Sequence, residues 1–179
     1  MNEGLISQRY AKAFFRYAKE VGAETAVYEK MKVFLENYQT HPHLQKALLN
    51  PVLSAKDKEL LLSSAIGIDP GEVYVRAIRL IIKNHREGYI RTIALMYEEL
   101  YRKAEHILLV KIITAAPLSE AVVAKIQETV RKHTPYKLEF STFVDPSLIG
   151  GFILHMGSEQ LDASVRKELK EIRKELLNN

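Results

Sequence analysis

Cysteine is missing altogether from this chain. Its absence excludes a disulfide framework, a thiolate metal site and a cysteine nucleophile, and a reducing compartment fits such a protein. Long apolar runs are missing as well. No stretch approaches the roughly 18 continuous apolar residues that a membrane span needs, and the N-terminus lacks the charged-then-apolar layout of a secretory signal. No fixed-period repeat or low-complexity tract is present. The signatures of common catalytic sites are also wanting: no Gly-x-x-x-x-Gly-Lys cradle, no Gly-x-Gly-x-x-Gly, no Gly-x-Ser-x-Gly elbow and no His-Glu-x-x-His. The six histidines, His41, His43, His85, His106, His133 and His155, are scattered. Each reads as a surface or capping group rather than a general base. A hydrolase reading therefore has no nucleophile–base pair to offer, and no catalytic residue is assigned.

What the chain does have is enough apolar material for a core. Its 179 residues are 47% hydrophobic, which suits one domain or two small ones. The net charge is +4. A basic nucleic-acid-binding adaptor is the alternative function that this charge leaves open. The interleaving of signs, as in Arg166-Lys167-Glu168-Leu169-Lys170-Glu171, favours solvated helix faces instead.

The first hundred residues read as helices joined by short links. Ile6, Tyr10, Ala13, Phe14, Tyr17 and Val21 share one face of a first helix, with Asn2 or Ser7 as cap and Gly22 as stop. Val27, Met31, Phe34, Leu35 and Tyr38 mark a second, from about 24 to 39. His41-Pro42-His43 breaks it. With no third ligand nearby the two histidines read as part of a turn, and no metal or cofactor is expected. A short helix through Leu44, Ala47 and Leu48 follows. Ser54 and Asp57 form a variant capping box for a fourth helix through Leu60, Leu61, Ser64 and Ala65. Asp69-Pro70 is expected to cap a fifth near 70–85, with Val73, Ala77, Leu80 and Ile81 along one side and Arg76, Arg79, Lys83 and Arg86 along another. The sixth carries Ile90, Ile93, Met96, Tyr97, Leu100 and Tyr101. Short links make neighbouring helices antiparallel.

Near His106 the period changes. Residues 107–115 are β-branched and apolar. Ser119 opens a helix whose Val122, Val123, Ile126 and Val130 face inward, and 138–144 form a second strand. Asp145-Pro146-Ser147 makes a turn. The paired Gly150 and Gly151 mark a bulge or a close backbone approach, leading into a third strand in which Phe152, Leu154 and Met156 alternate with Ile153 and His155. Gly157 and Ser158 end it, a polar link follows, and a last helix from about Ser164 spaces Val165, Leu169, Ile172 and Leu176 on one face. The fold class is α+β: an N-terminal all-α six-helix bundle (1–104), then a small α+β domain (105–179) with a few strands and a C-terminal helix.

Two stretches carry a family resemblance. Ile6-Ser7-Gln8-Arg9-Tyr10-Ala11-Lys12-Ala13-Phe14-Phe15-Arg16-Tyr17-Ala18 resembles the "RYAKALF-x-x-A" opening of the delta subunit of F-type ATP synthases, the oligomycin-sensitivity-conferring protein family. Val144-Asp145-Pro146-Ser147-Leu148-Ile149-Gly150-Gly151-Phe152, with Asp162-Ala163-Ser164-Val165-Arg166, resembles the family's C-terminal signature. Ala163 departs from the family's usual glycine there, a change that matters where φ is positive. The resemblance implies a non-catalytic stator, the joint between the catalytic head and the peripheral stalk. It implies one copy per complex, bound to alpha subunits and the b subunit and to no nucleic acid. It implies a place on the cytoplasmic face of a bacterial plasma membrane, reached only through the complex. It also places the groove for an alpha-subunit N-terminus between the first and fifth helices: Tyr10, Ala13, Phe14 and Tyr17 on one wall, Arg76, Ala77, Leu80, Lys83 and Asn84 on the other. Val165, Leu169 and Ile172 are the candidates for the b-subunit contact, although the same residues are natural core contacts.

Overall fold

The computed structural model describes residues 3–67, 69–157 and 159–177. Asn2 and Ser158, and the side chain of Leu176, lie outside them. Among the described residues, eight α-helices and a four-stranded mixed sheet make an α+β protein that divides into two compact units between Tyr101 and Arg102. No helix among the described residues is long and apolar enough to cross a membrane.

The first unit holds α1 (Glu3–Glu20), α2 (Glu24–Thr40), α3 (Pro42–Leu49), α4 (Ala55–Ser64), α5 (Glu72–Lys83), a 3-10 turn (Glu87–Tyr89) and α6 (Ile90–Ala104), whose last turn crosses the division. The links are where Gly and Pro put them. Gly22 takes φ +67 after α1, and Pro42 occupies the first turn of α3. Ser54 caps α4 by accepting the Asp57 N–H at 3.1 Å, and its hydroxyl donates to the Asp57 carboxylate at 2.6 Å. Two expected caps are replaced. Ser7 lies inside α1 and is fully buried. Asp69 caps no helix: its Oδ1 accepts the Gly71 N–H at 3.0 Å, and α5 starts only after Gly71 turns the chain at φ +71. Aromatic side chains fill the core, with Phe14 against Tyr97 at 5.0 Å and Tyr28 stacked on Tyr101 at 4.2 Å. Lys58 and Glu87, both nearly buried, close a 2.8 Å ion pair between α4 and the 3-10 turn.

The second unit is a sheet of order β2-β1-β3-β4 with two helices. β1 (Ile107–Thr114) pairs in parallel with β2 (Lys137–Val144) through the crossover helix α7 (Glu120–Arg131). It pairs antiparallel with β3 (Gly151–Met156), which pairs with β4 (Glu159–Ser164). Val110, Ile112, Leu154 and Val130 form the core, with Phe140, Phe152 and Met156 packed on it. This is the alternation expected of β3. Val122 is exposed rather than inward-facing, and Ser119 makes no side-chain cap bond. The largest correction is β4. The stretch before the last helix is a fourth strand and not a link, because each of its residues from Glu159 to Ser164 finds a register partner on β3. α8 (Val165–Leu177) follows directly.

Candidate functional site

α1 and α5 each carry two apolar stripes. On α1, Ser7, Ala11, Phe14 and Ala18 recur at helical spacing and are buried. The stripe beside them, Tyr10, Ala13 and Tyr17, remains at the surface. On α5 the buried set is Tyr74, Ile78, Ile81 and Ile82, so of the apolar side read from the sequence (Val73, Ala77, Leu80 and Ile81) Ile81 alone is buried. Leu80 is 50% exposed. The two surface stripes face each other across a cleft of about 470 Å³.

The cleft brings together Tyr10, Ala13, Phe14, Tyr17, Arg76, Ala77, Leu80 and Lys83, eight of the nine residues read from the sequence for this groove. Asn84 lines an adjoining cleft of about 410 Å³ that shares Tyr10, Ala13 and Leu80 with the first. Ile6 and Asn84 mark that end, and Tyr17 and Arg76 the other, so the helices run antiparallel. From Ile6 to Tyr17 the seam extends about 16 Å along α1, three helical turns. Sequence reasoning did not assign Arg79, Ile81 and Ile93 to the main cleft, or Ile6, Arg9 and Arg86 to its extension. The signal was available on α1, where Ile6 and Arg9 stand one turn before Tyr10 and Ala13.

Two arginines of α5 are anchored. Arg76 donates to the Tyr17 hydroxyl at 3.0 Å and lies 5.0 Å from the centroid of its ring. Arg79 lines the cleft while paired to α4, where its Nη2 meets Glu59 at 2.7 Å. The hydrogen bond from Arg79 holds the Glu59 carboxyl below its ordinary pKa.

In the second unit the two halves of the C-terminal signature lie against each other. Asp145 accepts the Ser147 N–H at 2.9 Å, with Pro146 beginning a single 3-10 turn. Hydrogen bonds from the Ser147 side chain and backbone hold Asp145 below the usual carboxylate range. The Gly150 carbonyl accepts the Val165 N–H at 3.1 Å, and a Cβ on Gly150 would lie 3.1 Å from Val165 Cγ2. Gly151, at φ +76, has the Ala163 carbonyl where a Cβ would stand. The paired glycines therefore admit the backbone of β4 and the start of α8. Ala163 is in the extended backbone of β4 and is not among the positive-φ residues, so its departure from glycine is accommodated without strain. The stripe of α8 does not pack into the core: Val165, Leu169 and Ile172 are 36, 53 and 47% exposed. Ser164 starts that helix by accepting the Lys167 N–H at 3.2 Å.

Neither region pairs a nucleophile with a base, and among the described residues no cluster of His, Asp and Glu could hold a metal ion. The geometry offers surfaces for docking.

A family profile described as "ATP synthase delta (OSCP) subunit" matches residues 6–176. The protein called ATP synthase subunit delta in Parabacteroides distasonis is 42% identical over 179 residues, covering 100% of this chain and 99% of that one. The chain belongs to the ATP synthase delta (OSCP) family. The ATP synthase subunit delta of Bacteroides thetaiotaomicron is 37% identical, covering 99% of this chain and 97% of its own. A chain of the Toxoplasma gondii mitochondrial ATP synthase hexamer shares the fold at a TM-score of 0.71, with 22% identity, over 99% of this chain and 98% of that one. As a member of the delta family the chain is a non-catalytic component of the peripheral stalk of an F-type ATP synthase, peripheral to the membrane part of the complex. Nothing in these similarities supports the nucleic-acid adaptor.

Proposed function

We propose that this delta-family chain is a joint with two grips. Residues 1–104, as a six-helix bundle, hold the N-terminal helical segment of an alpha subunit in the α1–α5 groove. Residues 105–179 hold the b-subunit stalk through the exposed stripe of α8. One copy serves each complex, on the cytoplasmic face of the bacterial plasma membrane, and it reaches the membrane only through its partners. Coupling requires the head to stay fixed while the rotor turns, so the joint must dissociate slowly.

The observation that carries this reading is the groove itself. Two antiparallel helices leave an apolar floor open along three turns, the form that an amphipathic helix fills with anchors at i, i+3 or i+4 and i+7. Nanomolar affinity corresponds to about 12 kcal/mol. Each apolar anchor removed from water contributes about 1.5–3 kcal/mol, so a helix with four to six anchors has the gross energy for a long-lived contact.

Titration calorimetry tests both grips. Tyr10→Ala and Leu80→Ala, in chains that remain folded, should each weaken binding of the alpha-subunit N-terminal peptide at least tenfold; unchanged affinity in both refutes the groove. Leu169→Asp with Ile172→Asp should abolish b-subunit binding while leaving stability within about 0.5 kcal/mol, because both side chains are half exposed. Retained binding puts the stalk contact elsewhere.

A further inference from the structure

We infer that the helix accepted by the α1–α5 groove is acidic, with carboxylates flanking its apolar stripe, and that Arg76 and Lys83 select for them. The inference rests on the groove reading above and specifies the chemistry of the occupant. Five cationic side chains line the two joined clefts, Arg9, Arg76, Arg79, Lys83 and Arg86, and no carboxylate lines either. Across the whole chain 26 lysines and arginines stand beside 22 carboxylates. At that ratio five cations would bring about four carboxylates with them, so the seam departs from the interleaved pattern seen elsewhere.

The internal contacts of these cations leave most of the charge unmatched. Arg79 alone is neutralised, by Glu59. Arg76 is held by the neutral Tyr17, and Arg86 lies 6.0 Å from the Tyr89 ring centroid. Arg9 and Lys83 have no ion-pair partner among the described residues. Four unneutralised cations along about three turns raise the local potential, which attracts a carboxylate-bearing partner and repels a lysine-bearing one. Arg76 and Lys83 are seven residues apart on α5, two turns on nearly the same face. They therefore suit a ligand with acidic residues about two turns apart along one edge.

The apolar floor decides between anionic partners. Ala13, Phe14, Ala77 and Leu80 line the same cleft as Arg76 and Lys83, and only an amphipathic helix covers that apolar surface and meets the cations together. A nucleic-acid duplex offers phosphates and nothing to fill it.

The test uses the full chain and the alpha-subunit N-terminal peptide, with Ala13→Trp as a groove-filling control. Raising salt from about 0.1 M to about 1 M shortens the screening length from about 10 Å to about 3 Å. This should weaken binding at least fivefold. Arg76→Gln and Lys83→Gln should each weaken it about two- to fivefold at low salt, mostly through the association rate, and should flatten the salt dependence. A peptide with its carboxylates changed to amides should lose the same factor. If Ala13→Trp abolishes binding while salt, the charge variants and the amide peptide change nothing, the acidic occupant is refuted and the groove stands. If Ala13→Trp changes nothing, the groove reading falls and this inference with it. If generic duplex DNA displaces the peptide from the wild-type chain and itself fails to bind Ala13→Trp, the groove takes a nucleic acid and the inference is overturned.

Discussion

The Arg76 guanidinium donates to the Tyr17 hydroxyl at 3.0 Å while lying over the same ring, 5.0 Å from its centroid. One contact thereby ties α5 to α1 at the end of the groove opposite Asn84. It fixes the rotamers of two lining residues before any partner arrives, which lowers the ordering cost of binding. A double-mutant cycle of Tyr17→Leu and Arg76→Gln, which removes the ring and the cation, should give a coupling of about 0.5–1 kcal/mol, the range for an exposed cation over an aromatic face. Additive effects in urea denaturation would mean the contact is not maintained in solution.

The Lys58–Glu87 pair is the most consequential charge contact for stability. Burial alone would raise the Glu87 pKa, but the hydrogen bond from Lys58, a backbone hydrogen bond and the charges of Lys58 and His85 together hold it below its ordinary value. A depressed carboxylate pKa means that the folded chain binds the proton less readily than the unfolded chain. The contribution is therefore complete above the unfolded value of about 4.5 and is lost as pH falls through the lower folded value. Glu87→Ala should cost about 3–5 kcal/mol at neutral pH, because it strands a nearly buried ammonium. Urea midpoints measured from pH 7 down to pH 3 should fall less for this variant than for the wild type.

Two glycines with positive φ differ in what surrounds them. A Cβ on Gly22 would meet open space, whereas one on Gly151 would run into the Ala163 carbonyl. Gly22→Ala should cost about 1–2 kcal/mol, the left-handed backbone penalty alone. Gly151→Ala should cost at least about 3 kcal/mol, since overpacking against β4 is added to that penalty. Thermal melts of the two variants side by side would show the difference, and equal costs would place the strain in φ alone.

Buried tyrosines provide a further contrast. The Tyr74 hydroxyl is buried with no hydrogen-bond partner, and burial pushes its pKa up. The Tyr97 hydroxyl donates to the Glu24 carbonyl at 3.1 Å. Tyr74→Phe should leave stability unchanged or raise it by up to about 1 kcal/mol, while Tyr97→Phe should lower it by about 1 kcal/mol. The same rank in denaturant titrations for both variants would contradict the assignment.

Much of this was legible in the residues, for identifiable reasons. Helix punctuation at Gly22, Pro42 and Ser54 follows from backbone restrictions that tertiary contacts do not override. The groove was harder to read. Val73, Ala77, Leu80 and Ile81 form an apolar side of α5, yet of these the core takes Ile81 alone, beside Tyr74, Ile78 and Ile82. A helix with two adjacent apolar stripes does not reveal which one is buried until its neighbours are in place. β4 escaped notice because Glu159-Gln160-Leu161-Asp162-Ala163-Ser164 is mostly polar and has no β-branched residue. It is a strand because β3 supplies its hydrogen bonds. Val165, Leu169 and Ile172 looked equally suited to core and to surface, and only their exposure separates the two.

The central claim is that the chain does no chemistry and works by holding the head through its groove. Rotary complexes reassembled with the Ala13→Trp chain test it most directly, with ATP hydrolysis and proton-driven ATP synthesis measured on the same preparation. Ala13 is exposed at the groove, so the substitution fills the seam without entering the core. Hydrolysis should persist while proton-driven synthesis falls by at least tenfold. Synthesis at the wild-type rate with the groove filled would contradict the account.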